Sequence, residues 1–228
     1  MASLDPNEAI AALPVAARHA LFQAALRTDF YSFVQAAFPV VSGGKRLQPN
    51  WHLEAMAYAL TANGNTRRLL ITVPPRSLKS ICSSVALPAF ALGHDPTRRI
   101  ICVSYSEVLA RKHGNDCRAL MHSPPYQRIF PRTRISASKD TETEIMTTAG
   151  GSRLTTSVGG TLTGRGGDVI IIDDPLKPQD VHSESALESQ KQWLTGTLLS
   201  RLDHKSEGSI IVVMQRLHPD DLVGHLIE

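Results

Sequence analysis

The sequence predicts an α/β fold in which helices cover both faces of a mostly parallel central sheet, giving three layers. Three hydrophobic runs support this prediction, at residues 69–73, 169–172 and 209–214. They are continuous and rich in Val, Ile and Leu, which is the pattern of strands buried on both faces, as in parallel sheets. Helical spacing of apolar residues separates these runs. Strands and helices therefore alternate along the chain, as a parallel sheet requires.

Length and composition set broad limits. The 228 residues suffice for one large domain, or for one domain with an appended subdomain. A formal charge of +3 permits nucleic-acid binding without arguing for it. The chain has no long apolar run, and Asp5 and Glu8 stand where a signal peptide would be basic and apolar, so we expect a cytoplasmic protein without a membrane segment. The three cysteines lack paired spacing and are expected to be buried free thiols.

The first predicted strand leads into a candidate phosphate-binding loop. Residues 74–80 break the strand pattern, end in Lys79-Ser80, and precede a helical pattern that starts at Ile81. In such a loop the Lys reaches the β- and γ-phosphates and the Ser hydroxyl contacts Mg²⁺. Val73 and Leu78 replace the two glycines of the usual Walker A pattern. The alternative is a strand–turn–helix segment with a surface lysine.

The two prolines at positions 74 and 75 carry no N–H group. Donors to a phosphate are therefore expected from the remainder of the loop, namely Arg76, Ser77, Leu78, Lys79 and Ser80.

A second motif follows the run at 169–172, which ends in Asp173-Asp174-Pro175. Ligands bind at the carboxyl ends of parallel strands, so acids there suit metal and water chemistry. As in a Walker B motif, Asp173 would bind Mg²⁺ and Asp174 would orient the attacking water. The alternative is a strand ending in an acidic turn. The Lys-Ser loop lies 94 residues upstream (173 minus 79), and the combination favours a nucleotide site.

The remaining pattern gives further elements. We expect helices at residues 5–38, 51–60, 107–121 and 184–202, strands at 100–104 and 209–214, and a β-hairpin from 144–148 and 153–158. Ser106 and Ser183 are predicted N-caps, Asn63-Gly64 should close the second helix, and Pro88 should kink the helix after the phosphate loop. His94 and His113 are expected at the surface, because neither has a second ligand at metal spacing.

Three other places are candidate functional positions. Gln48, Trp51 and His52 precede the first core strand and are expected either to contact an adenine base or to form a helix start with a buried Trp. Arg165 lies in a glycine-rich stretch, residues 159–167, that either presents it to a phosphate or is only a connector. Gln215 follows the last predicted strand and is placed to sense the γ-phosphate.

Four segments together, residues 47–52, 73–80, 159–175 and 214–222, resemble the large terminase subunit of tailed bacteriophages, the ATPase that drives DNA into the capsid. The resemblance is to its N-terminal ATPase domain, a P-loop NTPase of the ASCE type. It runs from about Gln48 to the end of the chain, so the ATPase domain is expected at residues 47–228. The helical spacing before it predicts a separate N-terminal helical extension at residues 1–46. The nuclease domain of that family is expected to be absent from this chain.

The resemblance also implies roles for single residues. Arg76 would stabilise charge at the γ-phosphate, Gln48 to His52 would contact adenine, and Gln215 would couple hydrolysis to movement. Arg165 is a candidate for an arginine finger acting on the neighbouring subunit of a ring. The family commonly has glutamate where this chain has Asp174, which is one methylene shorter. The implied cofactors are ATP and Mg²⁺.

The implied partners are double-stranded DNA, the portal protein, the small terminase subunit and further copies of the chain. The copies would form a homo-oligomeric ring on the capsid, and the isolated domain is either such an oligomer or a monomer. The implied location is the cytoplasm of the infected bacterial host. Two rival functions are a helicase-like DNA translocase and a nucleotide-inactive module that docks on DNA or portal.

Overall fold

A computed structural model describes residues 10–62, 68–162 and 164–227. In this part of the chain seven strands form one sheet in the order β1-β7-β6-β2-β5-β4-β3. The strands are β1 (Arg68–Thr72), β2 (Arg99–Ser104), β3 (Ile135–Asp140), β4 (Glu144–Thr147), β5 (Ser152–Ser157), β6 (Val169–Asp173) and β7 (Ser209–Met214). Neighbours from β1 to β5 in this order are parallel, and β4 and β3 continue the sheet antiparallel.

The helices that flank this sheet are α1 (Val15–Thr28), α2 (Phe30–Val41), α3 (Trp51–Thr61), α4 (Leu87–His94), α5 (Glu107–His122), α6 (Pro124–Ile129), α7 (Glu184–Trp193) and α8 (Leu222–Ile227). A π-helical segment (Ile81–Ala86) leads into α4, and another (Leu194–Leu198) continues α7. None of the described helices is long and apolar enough to cross a membrane.

The two faces of the sheet are covered by different helices, which confirms the three-layer prediction. One face packs Cys102, Ile171 and Val213 against the helices between α2 and α6. The other packs Val103, Ile172 and Val212 against the segments that contain Leu194, Leu198 and Leu222. Adjacent residues of a strand point to opposite faces, so the continuous aliphatic runs reflect burial on both sides.

The strand register aligns the ends that carry the two motifs. Thr72 of β1 lies opposite Met214 of β7, and Asp173 of β6 lies between Val213 of β7 and Ser104 of β2. Because these strands are parallel, the segments that follow β1, β6 and β7 all leave from one edge of the sheet. We call this edge the carboxyl edge.

The N-terminal segment is helical, as predicted. The residues expected to be helical, 5–38, form two helices where they are described, α1 and α2, which separate at Asp29. Its Oδ2 accepts a 2.7 Å hydrogen bond from the Ser32 N–H and caps α2. Leu21 of α1 is exposed, whereas Phe33 of α2 is buried among Phe90, Tyr126 and Phe130. Residues 1–9 lie outside the described chain.

Most other elements agree with prediction. The hairpin is formed by β4 and β5, and Ser106 and Ser183 each accept the predicted capping bond. Strand β3 was missed because its polar residues carry little strand signal. The helix expected at 184–202 is α7 followed by the π-helical segment and a 3₁₀ turn (Leu199–Arg201). The predicted helix end at 63–64 lies outside the described residues.

The three cysteines were predicted correctly, since each is free and buried. The proposed domain boundary at residue 46 stays a prediction. Helix α2 contributes Phe30, Phe33 and Val34 to the same hydrophobic cluster as the helices that cover the sheet.

Candidate nucleotide-binding site

The loop at residues 73–80 starts as a continuation of the sheet. The Val73 N–H donates a 3.1 Å hydrogen bond to the Met214 carbonyl, so β1 and β7 remain paired one residue beyond the strand. Within the loop the Ser77 hydroxyl donates to the Pro74 carbonyl at 2.8 Å. At its end the Cys82 N–H donates to the Leu78 carbonyl, where the helix begins. The loop is therefore a closed turn between strand and helix.

Two non-glycine residues of this loop have a left-handed backbone. The φ angles are 63° at Arg76 and 60° at Leu78. This conformation costs an L-residue other than glycine roughly 1–2 kcal/mol, and such strain is concentrated at functional sites. Leu78 stands at the second glycine position of the usual pattern, so the loop adopts a glycine-type backbone without the glycine.

Lys79 and the two aspartates converge at the carboxyl edge. Lys79 is 6% exposed, and its ammonium lies 2.9 Å from Oδ2 of Asp174. The Ser80 hydroxyl donates a 3.1 Å hydrogen bond to Oδ1 of Asp173. The structure thus brings together the two sequence motifs on which the nucleotide prediction depended.

Asp173 is completely buried, and each of its carboxyl oxygens accepts a hydrogen bond from a serine hydroxyl. Besides the Ser80 bond, its Oδ2 accepts a 2.9 Å hydrogen bond from the Ser84 hydroxyl. Burial, followed by the nearby charge of Asp174, raises the pKa of the Asp173 carboxyl to about 7. A cation is expected to bind the ionised form, because a bound positive charge offsets the penalty of burial.

The prediction that His113 lies at the surface is wrong. His113 is 6% exposed, and its Nδ1 lies 3.6 Å from Oδ2 of Asp173. Burial first, then the positive charges of Arg153 and Lys112, lower the pKa of His113 to about 4, so the ring is neutral at pH 7. The signal for this burial was present, because His113 shares helical spacing with Ala110, Cys117 and Leu120, which are all buried.

Asp174 is held by its backbone on both sides. Its N–H donates to the Val213 carbonyl at 3.0 Å, and its carbonyl accepts from the Tyr105 N–H at 3.1 Å. Its φ angle is 44°, which directs the chain away from the strand. The Gln215 N–H donates a 3.2 Å hydrogen bond to Oδ1 of Asp174. The backbone of Gln215 therefore contacts the Asp174 side chain.

The segment predicted to contact adenine borders the loop. His52 Nε2 lies 3.3 Å from the Ser77 carbonyl oxygen. Trp51 is 79% exposed, so the alternative of a buried tryptophan is wrong. Gln48 is also exposed, as is Arg76 within the loop.

Arg165 lies apart from these residues. Its guanidinium makes a bidentate ion pair with buried Glu144, at 2.6 and 3.0 Å. It shares a small cavity with Arg99 and Ser152, the first residues of β2 and β5. Arg165 is thus near the amino ends of the parallel strands, on the side opposite Lys79 and Asp174, and does not take part in the site of its own chain.

The donor set at the carboxyl edge fits magnesium. Mg²⁺ prefers oxygen ligands and is commonly held by one or two carboxylates together with substrate phosphates. Ser80 Oγ and Asp173 supply a hydroxyl and a carboxylate in direct contact. Among the described residues no group of three or more His, Cys, Asp or Glu is arranged to hold a metal ion. Phosphate oxygens and water would have to complete the coordination.

Comparison with known proteins gives a fold relationship. No protein-family profile and no curated protein matches the sequence. The solved large terminase of bacteriophage HK97 superposes with a TM-score of 0.57 at 17% identity, over 88% of this chain. The chain shares its fold with this phage large terminase. It spans 40% of the HK97 chain, and the resemblance seen in the sequence is confirmed at the level of fold.

Two further structures are more distant. The ATPase domain of the large terminase of Thermus phage P74-26 has 15% identity and a TM-score of 0.46, over 78% of this chain and 69% of that one. A LAO/AO transport system kinase has 17% identity and a TM-score of 0.24, over 95% of this chain and 76% of the kinase chain.

Proposed function

We propose that this chain is the ATPase domain of a terminase large subunit, which binds ATP with Mg²⁺ and hydrolyses it to move double-stranded viral DNA into a procapsid. The observation that supports this most is the meeting of Lys79, Ser80, Asp173 and Asp174 at the carboxyl edge of the sheet. Strand–loop–helix phosphate sites and acidic strand ends occur separately in many folds. Their direct contact is what an NTP site requires.

The phosphate loop supplies binding. Backbone N–H groups from Arg76 to Ser80 would donate to the phosphates, and a helix N-terminus favours an anion. Lys79 would add its ammonium, which is buried and lies 2.9 Å from Asp174. The exposed Arg76 guanidinium would reach the γ-phosphate, where it would stabilise charge in the transition state.

Ser80 and Asp173 would hold the Mg²⁺. When bound, this ion neutralises charge on the β- and γ-phosphates. The chain itself contributes the fixed positions of the hydroxyl and the carboxylate, which are already in hydrogen-bond contact.

Asp174 would orient the attacking water and accept its proton. Its Oδ2 contacts Lys79 and its Oδ1 contacts the Gln215 backbone, so it touches both the phosphate loop and the end of β7. Gln215 would move when the γ-phosphate is cleaved. This movement would displace the segment after β7 and so couple hydrolysis to motion.

Gln48, Trp51 and His52 would contact the adenine. His52 already touches the loop, and the exposed Trp51 ring offers an aromatic face for stacking.

Arg165 remains our candidate for the arginine finger of a neighbouring subunit. Its ion pair with Glu144 would have to open for this role. Replacement of Arg165 by Ala should then lower hydrolysis only under conditions where the chain forms its ring. An unchanged rate in the assembled ring would reject the role.

The proposed partners are double-stranded DNA, the portal protein, the small terminase subunit and other copies of this chain, in the cytoplasm of an infected bacterium. Contacts to DNA would be to phosphates and independent of sequence.

A titration of ATP into the purified chain, with and without Mg²⁺, tests the proposal. Saturable binding that Mg²⁺ strengthens is expected. Absence of binding in both conditions would favour the rival nucleotide-inactive docking module. Separation of strands on a forked DNA would favour the helicase-like alternative.

A further inference from the structure

Arg153 of β5 is an unusual core residue. It is 1% exposed and is the largest of the fully buried side chains among the described residues. Its guanidinium donates to the Ser84 carbonyl at 2.9 Å and to the Thr155 hydroxyl, while its Nε has no hydrogen-bond partner among the residues that the structure describes. None of these bonds goes to a carboxylate. A buried charge without a direct counter-ion is expensive, so its place in this core requires an explanation.

Pro88 cannot donate a hydrogen bond to the Ser84 carbonyl. In an α-helix this oxygen would accept from the N–H of residue 88, and proline has none. The helix passes through this point as the π-helical segment Ile81–Ala86 before α4 begins. Such segments are frequent at functional sites. Arg153 supplies the donor that the proline removes.

Ser84 also contacts the site. Its hydroxyl donates the 2.9 Å bond to Oδ2 of Asp173. Arg153 therefore holds the backbone of the residue whose side chain holds Asp173. The hydrogen bonds of Asp173 come from serine hydroxyls and those of Arg153 go to neutral oxygens, so Ser84 links the buried Asp173 carboxyl group to the buried Arg153 guanidinium.

The sheet makes this link possible. Asp173 lies opposite Ser104, which lies opposite Ser157 on β5. Arg153 is four residues before Ser157, and an even separation along a strand places both on the same face. This is the face that the π-helical segment covers. The distance along the strand is about 13 Å at roughly 3.3 Å per residue, too far for direct contact, and Ser84 bridges the remaining gap.

We propose that Arg153 is a positioning residue for the Mg²⁺ site. It acts through Ser84, whose hydroxyl fixes Oδ2 of Asp173, so that Oδ1 of Asp173 lies beside Ser80. This inference rests on the proposed function. Arginine suits the role because its planar fork bonds two acceptors at once. Lysine would keep the charge without the fork.

The test separates metal binding from nucleotide binding. A fluorescent ATP analogue is titrated into each variant in EDTA, and the Mg²⁺ concentration for half-maximal tightening is then measured. Loss of a residue that supports a metal ligand typically lowers metal affinity roughly 10- to 100-fold. Ser84→Ala and Arg153→Met should therefore each raise the required Mg²⁺ by about tenfold or more, with unchanged affinity in EDTA.

Ser84→Ala is a small change and keeps the test valid if Arg153→Met does not fold. In that case Arg153→Lys replaces it and is expected to give an intermediate loss. In the Ser84→Ala background, Arg153→Lys should add nothing to the Mg²⁺ requirement, because the hydroxyl through which it acts is gone. Additive losses would overturn the proposed route through Ser84.

The matched control is Leu198→Ala. Leu198 is fully buried on the opposite face of the sheet. The Leu198→Ala variant should have a lower melting temperature and an unchanged Mg²⁺ requirement. A normal Mg²⁺ requirement in the Arg153 variants, or an equal loss in EDTA and in Mg²⁺, would overturn the inference while leaving the proposed ATPase intact. Failure of the unmodified chain to bind the analogue in either medium would instead overturn the proposed function and this inference with it.

Discussion

The Lys79 ammonium lies 2.9 Å from Oδ2 of Asp174. This ion pair joins the loop after β1 to the residue after β6, two segments that are 95 positions apart in sequence (174 minus 79). A bound triphosphate would bring further negative charge to the same ammonium. The group proposed to bind phosphate and the group proposed to activate water are thus in contact, so occupation of the site by a nucleotide is expected to change the position of both.

Replacement of Lys79 by Ala should weaken binding of ATP in Mg²⁺ while the fold is retained. A hydrogen bond to a charged group contributes about 2 kcal/mol, or roughly thirtyfold in Kd. Calorimetric titration measures the loss, and circular dichroism checks the fold. The matched control is Lys112→Ala, which removes an exposed lysine paired with Asp116. Equal ATP affinity in the Lys79 and Lys112 variants would exclude Lys79 as a phosphate ligand.

Replacement of Asp174 by Asn should leave ATP binding nearly unchanged and reduce hydrolysis. Asn tolerates the φ angle of 44° at this position, and its side-chain oxygen can still accept from the Gln215 N–H. What is lost is the negative charge and the capacity to accept a proton, a loss of about 10²- to 10⁴-fold in rate for a general base. Phosphate release over a single turnover measures it. A variant that hydrolyses at the normal rate would assign the catalytic role to another group.

The strained loop gives a third prediction. Leu78→Gly should bind ATP at least as tightly as the unmodified chain, because glycine adopts φ near 60° without strain. Leu78→Ile should bind more weakly, since β-branched residues are rarely found there. Affinity is measured by titration, and thermal melting separates any loss of packing. If the isoleucine variant bound better than the glycine variant, the left-handed backbone would not be required for binding.

Trp51 should affect the base and not the phosphates. We expect Trp51→Ala to weaken ATP binding by about 1 kcal/mol, roughly fivefold, as for loss of one base–aromatic stack. Binding of inorganic tripolyphosphate should not change. Tyr58→Ala is the control, because Tyr58 is 74% exposed on the same helix two turns further on. Parallel losses for ATP and tripolyphosphate would show that Trp51 supports the loop and does not contact adenine.

The strands that build the site could be predicted because their information is local. Continuous Val and Ile runs define β6 and β7, and the residue types that follow them indicate the chemistry. The convergence of Lys79 with Asp173 and Asp174 followed from one further rule, that parallel strands end at the same edge. Departures from the glycine pattern did not prevent the loop from forming.

The support behind the site could not be predicted in the same way. Arg153 lies in a hairpin sequence that alternates like a half-exposed strand, and its burial depends on β5 pairing with β2 and on helices from elsewhere in the chain. The Ser84 carbonyl accepts a hydrogen bond from Arg153, a residue 69 positions away in the sequence. Trp51 was expected to be buried as one alternative, and only the packing of α3 shows its exposure.

A crystal structure of the chain with Mg²⁺ and a non-hydrolysable ATP analogue tests the central claim most directly. We expect the β- and γ-phosphates to contact the Lys79 ammonium and the N–H groups of the loop. We also expect Mg²⁺ about 2.1 Å from Ser80 Oγ, beside Asp173. A triphosphate bound away from the carboxyl edge, or one bound there with Lys79 still paired only to Asp174 and no cation near Asp173, would contradict it.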